Sequence, residues 1–283
     1  MKTMPAYEEL FQSAVRRLEK AGVPEAEWDA WYILSDTFHI SRAEYLWRKK
    51  ESPKQVPPLW EERVRERCRR VPLAYLLGQT EFMGLPFAVR PGVLVPRQDT
   101  ETLVEWVLEE TDGEGKNLLD LCCGSGCIGL SLAKLGGFEA VLCDLSDTAV
   151  EVSRENAARL GCRARIYQGD LFAALPAGLR FDVIISNPPY IQSAVIEGLM
   201  PEVRDYEPRM ALDGAEDGLL FYRRIAAQAG AWLVPGGRLY LEIGYDQGES
   251  VPFLLREAGF LQVEVRRDLA GQTRVVRGVV SDV

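Results

Sequence analysis

Asn117-Leu118-Leu119-Asp120-Leu121-Cys122-Cys123-Gly124-Ser125-Gly126-Cys127-Ile128-Gly129 reads as a strand, a glycine-containing turn and the start of a helix. The same alternation continues to the end of the chain. Strands are expected near 117–122, 138–144, 163–168, 181–186, 237–243, 260–266 and 273–280, with helices near 126–135, 147–160, 218–233 and 248–258. Seven strands in that rhythm predict an α/β fold with a seven-stranded, mostly parallel, Rossmann-like sheet covered on both faces. No internal repeat or low-complexity segment interrupts it.

Upstream the pattern is helical. Apolar side chains recur at Tyr7, Leu10, Phe11, Ala14, Val15 and Leu18, and Gly22 and Pro24 then punctuate. A second helix carries Trp28, Trp31 and Tyr32, and Ser41-Arg42-Ala43-Glu44 has the form of a capping box opening a third. Pro57-Pro58 starts an arginine-rich fourth helix, with Pro72 beyond its end. Residues 1–78 therefore read as a small helical bundle. Residues 79–96 read as a β-hairpin linker: Thr80-Glu81-Phe82-Met83, a Gly84-Leu85 turn, Pro86-Phe87-Ala88-Val89, then Val93-Leu94-Val95. Residues 97–283 form the third part, entered through Arg97-Gln98-Asp99-Thr100-Glu101 and a helix carrying Leu103, Val104, Val107 and Leu108.

With 283 residues and 47% apolar content, the chain has the composition of a soluble protein. No stretch approaches the roughly 18 to 20 apolar residues of a membrane span, and Met1-Lys2-Thr3-Met4-Pro5 has no apolar signal core, so a cytoplasmic location is expected. The six cysteines lack both a spaced disulfide framework and the paired spacing of a zinc site. Reduced, buried thiols and no metal are expected. The lone His39, in an amphipathic segment, reads as packing. A net charge of −9 argues against stable nucleic-acid binding. Arg63, Arg65, Arg67, Arg69 and Arg70 are the one basic run, read as a solvated helix face, with a docking surface for an RNA-bound or acidic partner as the sharper alternative.

Gly124, Gly126 and Gly129 satisfy the dinucleotide fingerprint, and Asp144 lies 20 residues beyond Gly124. An NAD(P)-dependent dehydrogenase is thus one reading. The features around the glycines favour S-adenosylmethionine. Asp120 puts a carboxylate near the ligand, suited to a cationic methionine moiety and ill-matched to a pyrophosphate. Asp144 can accept both ribose hydroxyls, and Gly169-Asp170-Leu171-Phe172 supplies a carboxylate and apolar side chains for an adenine. The only Tyr-x-x-x-Lys, Tyr45 with Lys49, falls in the helical region.

Asn187-Pro188-Pro189-Tyr190 follows the apolar run Phe181-Asp182-Val183-Ile184-Ile185-Ser186 and suggests methyl transfer to a flat nitrogen. An amide or exocyclic amino nitrogen is a poor nucleophile, because its lone pair is delocalised. The Asn187 side-chain oxygen and the Pro188 carbonyl can each accept one N–H of an NH2 group and turn that lone pair towards an electrophile. Pro188 and Pro189 stiffen the array, and Tyr190 offers a ring face for stacking. Asn187, Pro188 and Tyr190 are the catalytic candidates.

The chain resembles the release-factor glutamine-N5 methyltransferases, the HemK/PrmC family of class I enzymes, over nearly its whole length. The marks are Pro72-Leu73-Ala74-Tyr75-Leu76-Leu77-Gly78, Val95-Pro96-Arg97-Gln98-Asp99-Thr100-Glu101, the loop from Asp120 to Gly126 and Asn187-Pro188-Pro189-Tyr190-Ile191. Tyr206-Glu207-Pro208-Arg209, Asp217-Gly218-Leu219, Pro235-Gly236-Gly237, Leu241-Glu242-Ile243-Gly244 and Asp268-Leu269-Ala270-Gly271 follow. The resemblance implies methylation of the glutamine of a Gly-Gly-Gln motif in peptide-chain release factors, with residues 1–78 helping to dock that protein substrate. It implies donor contacts from Cys122, Cys123, Gly124, Ser125, Gly126, Asp144, Leu171 and Asn187, to which the local reading adds Asp120 and Asp170. The substrate amide would meet Asn187, Pro188, Pro189 and Tyr190. A monomer is expected.

Two positions depart from the family. Its loop usually reads Asp-x-Gly-x-Gly-x-Gly, and here Cys122 replaces the first glycine, followed by Cys123. If that position needs a positive φ, the β-carbon costs about 1 kcal/mol and could weaken donor binding. The thiol is expected to pack rather than to act as a redox switch. Gln98 replaces a proline common in the preceding loop. Two further readings stay open: a nucleic-acid adenine-N6 methyltransferase, which shares Asn-Pro-Pro-Tyr, and a catalytically silent cofactor-binding module.

Overall fold

The computed structural model describes residues 4–282; Met1 to Thr3, part of the segment read above as lacking a signal core, and Val283 lie outside them. In chain order the helices are α1 (Tyr7–Lys20), α2 (Ala26–Phe38), α3 (Arg42–Arg48), α4 (Pro58–Cys68), α5 (Leu73–Leu77), α6 (Glu101–Glu110), α7 (Cys127–Gly136), α8 (Asp147–Leu160), α9 (Pro201–Tyr206), α10 (Leu220–Ala229) and α11 (Ser250–Glu257). The strands are β1 (Gln79–Phe82), β2 (Leu85–Ala88), β3 (Asn117–Leu121), β4 (Glu139–Asp144), β5 (Ala164–Gln168), β6 (Phe181–Ser186), β7 (Leu233–Glu242), β8 (Leu261–Arg267) and β9 (Thr273–Val279). The chain divides into two compact units, Met1–Gly78 with Met200–Tyr206, and Gln79–Leu199 with Glu207–Val283.

The first unit is a helical bundle. Its α3 opens on the expected capping box: the Glu44 N–H donates to Ser41 Oγ at 3.2 Å and the Ser41 N–H to Glu44 Oε2 at 2.8 Å. Phe11, Trp31 and Tyr45 meet edge to face in its core. The arginine run differs from its reading as a solvated face. Arg63 and Arg67, four residues apart on α4, point inward and are buried, and only Arg65 and Arg69 are exposed. A buried guanidinium needs partners. Arg67 meets Asp29 of α2 at 2.6 Å and Glu202 of α9 at 2.8 Å, Arg70 meets Glu202 at 2.6 Å, and Arg63 meets Asp36 at 2.5 Å. His39 also differs: it is exposed and closes α2 with φ 51° instead of packing inside.

The second unit holds the seven-stranded sheet, in the order β5-β4-β3-β6-β7-β9-β8. Strands β3 to β7 run parallel to one another, and β9 runs antiparallel to both β7 and β8. Alternate residues of β3 face opposite layers. Leu118 packs with Leu103, Leu130 and Ala157 of α6, α7 and α8, while Leu119 and Leu121 pack with Tyr222, Ile225, Val251 and Leu255 of α10 and α11. The strands fall within a residue or so of their expected positions except β7, which begins four residues early. Phe181 pairs with Leu233 and Val183 with Arg238, so Val234 to Gly237 bulge out inside the strand. The β1–β2 turn is Met83-Gly84, one residue before the expected one, because both positions take positive φ (52° and 69°) and Phe82 pairs with Leu85. Val93 to Val95 form no strand.

The chain leaves β3 for β4 and β5 on one side, then returns to place β6 on the other side of β3. A crevice opens at the carboxyl ends of strands where the order reverses in this way. Leu121 lies opposite Ser186, so the glycine loop and the Asn-Pro-Pro-Tyr loop leave the sheet side by side.

Candidate active site

The loop after β3 is tied down by its own neighbours. The Cys123 N–H donates to the Cys143 carbonyl at 3.1 Å, the Gly124 N–H to Asp144 Oδ2 at 2.8 Å, and Ser153 Oγ to the Gly124 carbonyl at 2.9 Å. Gly126 has φ 79°, and a β-carbon there would come within 3.0 Å of both Leu130 and Leu142. Glycine is required at that position. Cys122 has φ 58°, the condition under which its β-carbon costs about 1 kcal/mol relative to glycine.

Two carboxylates, Asp144 at the end of β4 and Asp120 within β3, hold this loop and the start of α7 in different roles. Asp144 Oδ1 accepts the Ser146 N–H at 2.9 Å while Oδ2 takes Gly124, and burial still pushes its carboxyl up. Asp120 is fully buried, its Oδ2 accepts the Gly129 N–H at 2.8 Å, and burial pushes it up to about 8. A β-carbon on Gly129 would meet Asp120 at 2.9 Å, so that glycine lets α7 pack on β3.

A cleft with about 950 Å³ of solvent-continuous space opens beside the loop. Of the residues singled out from sequence, Cys122, Cys123, Gly124, Ser125, Asp144, Asp170, Leu171, Asn187 and Pro189 line it. Asp120, Gly126, Pro188 and Tyr190 are not in the lining. Asp170 is exposed and pairs with Arg224 at 2.7 Å. Four thiols, those of Cys122, Cys123, Cys127 and Cys143, border the cleft, and all six cysteines are free. Burial pushes Cys127 and Cys143 up to about 12 and the other two upward as well, so they are neutral, unreactive thiols near pH 7.

The cleft fits a nucleoside-bearing sulfonium. Asp144 presents a carboxylate steadied by two backbone N–H groups, Leu145 and Leu171 add apolar wall, and the buried Thr100 Oγ1 and Ser125 Oγ have no well-formed hydrogen-bond partner among the described residues. Arg97, Thr100, Leu145, Met210 and Phe221 are lining residues that sequence reasoning gave no role. The signal for the first two was the quoted block from Val95 to Glu101. Arg97 is held by the buried Glu207 through two contacts of 2.7 Å.

At the end of β6, Ser186 Oγ donates to the Leu121 carbonyl at 2.7 Å and locks the two strand ends together. Asn187 follows, lining the cleft, and its amide makes no hydrogen bond among the described residues. Pro188 and Pro189 are buried. Tyr190 packs against the core layer of α10 and α11, donates its hydroxyl to Glu242 Oε1 at 3.5 Å and accepts at its carbonyl from Gln247 Nε2 at 3.2 Å. Glu242 and Gln247 had no role in the sequence reading.

Residues 96–200 match the Methyltransferase small domain family, and residues 9–78 match the PrmC N-terminal domain. The chain is 40% identical over 271 residues to the release factor glutamine methyltransferase of Clostridium botulinum, covering 92% of this chain and 94% of that one. It is 42% identical over 264 residues to the protein of the same name from Geobacter sulfurreducens, covering 92% of each. Among solved structures, a methyltransferase from Pyrococcus furiosus superposes with a TM-score of 0.54 at 19% identity, over 71% of this chain and 91% of that one, a likeness of fold.

Proposed function

The chain belongs to the release factor glutamine methyltransferase family, and from that premise we propose that it carries a methyl group from S-adenosylmethionine to the side-chain amide nitrogen of the glutamine in the Gly-Gly-Gln motif of peptide-chain release factors. One observation carries the reading: Asn187, whose amide makes no hydrogen bond among the described residues, lines the same cleft as the Gly124 loop.

The donor, when bound, supplies an electrophilic methyl carbon. Cys122 to Ser125 would cradle it with backbone, with Gly126 supporting the turn behind them, Asp144 would accept its ribose hydroxyls, Leu171 would bound the adenine, and Asp170 would stand at the rim. Asp120 works from behind, fixing the start of α7 through Gly129. The Asn187 oxygen and the Pro188 carbonyl each accept one N–H of the incoming amide, and Pro188 and Pro189 keep those acceptors from yielding. Tyr190 is the wall behind them. Alignment in a closed site lowers the barrier, and the surplus proton leaves to water.

Residues 1–78 act as the docking domain for the protein substrate, 79–96 as the hairpin linker and 97–283 as the catalytic domain. The enzyme works as a cytoplasmic monomer without stable nucleic-acid binding. The net charge of −9 weighs against stable nucleic-acid binding, and no helix among the described residues is long and apolar enough to cross a membrane.

The test is incubation with labelled S-adenosylmethionine and, separately, an unmodified release factor, DNA and RNA. Label is expected in the release factor and is lost by at least about a hundredfold in Asn187→Ala. Label in nucleic acid instead would favour an adenine-N6 enzyme, and donor binding without transfer to any acceptor would favour a silent module.

A further inference from the structure

The proposed transfer leaves one buried carboxyl without a task. Glu242 ends β7 inside the apolar run Leu239-Tyr240-Leu241-Glu242-Ile243 and is 2% exposed. Its Oε1 accepts the Tyr190 hydroxyl at 3.5 Å, its Oε2 has no well-formed hydrogen bond among the described residues, with the Thr100 hydroxyl near the carboxyl, and its backbone carbonyl accepts the Tyr222 hydroxyl at 2.8 Å. Five residues further on, Gln247 donates Nε2 to the Tyr190 carbonyl and to the Gly218 carbonyl, both at 3.2 Å, while its Oε1 accepts the Gly244 N–H at 2.9 Å. Tyr190 is thus held at its backbone by Gln247, in the turn after β7, while its phenol faces Glu242 at the end of that strand through a long contact of 3.5 Å. The grip is close: a β-carbon on Gly218 would fall 2.4 Å from the Tyr190 carbonyl oxygen.

We propose that Glu242, assisted by Gln247, is a positioning residue for methyl transfer, setting Tyr190 and through it the Pro188 carbonyl and the Asn187 amide. This rests on Asn187 to Tyr190 being the acceptor loop. Two prolines precede Tyr190 with φ fixed by their rings, so a shift of Tyr190 is passed back along the loop and not absorbed within it. A buried acid in an apolar strand is otherwise a net cost to folding. The groups facing it are Tyr190, Tyr222 of α10, Cys127 of α7, Thr100 and Asp99 ahead of α6, and Arg274 of β9, itself bound to Asp268 at 3.0 Å and Asp99 at 3.3 Å. Burial pushes the carboxyl up to about 7, against the Thr100 hydroxyl and the Arg274 charge. An ionised carboxylate accepts from a phenol more strongly than a neutral acid does. The grip on Tyr190 therefore tightens as pH rises through about 7.

The full-length protein and its Glu242→Gln, Glu242→Ala and Tyr190→Phe variants provide the test. Wild-type kcat is expected to climb with a midpoint near 7, and that limb is absent in Glu242→Gln and Tyr190→Phe. At pH 8, kcat falls about fivefold in Glu242→Gln and about thirtyfold or more in Glu242→Ala, while the calorimetric Kd for the donor stays within about twofold. Carbon-13 NMR of the Tyr190 ring reads the same coupling without turnover: its shift steps near pH 7 in wild type and not in Glu242→Gln. A wild type that methylates the release factor, with variants matching it in kcat and pH profile, overturns the positioning role. If wild type transfers no label, the acceptor-loop reading fails separately, and the ring titration alone sustains or overturns the coupling. Should Glu242→Ala fail to fold, the two isosteric variants decide the matter.

Discussion

The loops after β3 and β6 leave neighbouring strands side by side, yet the protein satisfies them very differently. Around Gly124 the donor loop is tied by the Asp144 carboxylate, the Ser153 hydroxyl and the Cys143 carbonyl. In the proposed acceptor loop the Asn187 amide makes no hydrogen bond among the described residues, and order comes from behind, through Tyr190. One site is finished before its ligand arrives. The other is left unfinished, because hydrogen-bond capacity kept free is what a neutral NH2 group needs.

If that division is right, the two loops separate under mutation. Asp144→Ala removes the acceptor for two backbone N–H groups and for the ribose, and should weaken donor binding roughly thirtyfold, about 2 kcal/mol, by calorimetry. Asn187→Ala should leave the same constant within roughly threefold while abolishing transfer. Equal losses of donor affinity in both would collapse the contrast.

A pH titration of stability sharpens the donor side. The folded protein keeps the Asp120 proton up to about pH 8, whereas the unfolded chain releases it near the ordinary 3.8. Over that window the native state binds more protons, so this group makes stability fall as pH rises, by at most about 1.4 kcal/mol per pH unit. Asp120→Asn keeps an acceptor for the Gly129 N–H and removes the titration. Urea midpoints of the variant at pH 5 and pH 8 should therefore differ less than those of wild type.

The smallest effect is at Cys122. Replacing it with glycine relieves a positive φ and should raise Tm by about 2 °C, corresponding to about 1 kcal/mol or less. A fall in Tm would mean that the thiol's packing outweighs the strain.

The sheet was legible because apolar runs and glycine turns are local signals, and the cleft followed from where the runs ended. What escaped had its explanation far away in the chain. Nothing in Arg63, Arg67 or Arg70 says that Asp36, Asp29 and Glu202 will meet them, so a buried network passed for a solvated face. The helix Pro201–Tyr206 is short and polar, and its partner arginines lie some 130 residues earlier. Glu242 did leave a trace, an acid inside an otherwise apolar strand, but only Tyr190 approaching from another loop gives that acid a use. Tyr190 reads in the sequence as a ring face for stacking; it is half-buried and packs against the core layer of α10 and α11.

Because Glu202 returns to Arg67 and Arg70 from deep within the other half of the chain, residues 1–78 are not an interchangeable cassette. A chimera that grafts those residues alone onto a relative leaves Arg67 with Asp29 but depends on the recipient to supply the carboxylate that Glu202 gives to Arg67 and Arg70. Moving this chain's helical unit intact means transplanting two stretches together, residues 1–78 and 200–206, and recombination with a single crossover faces the same obstacle.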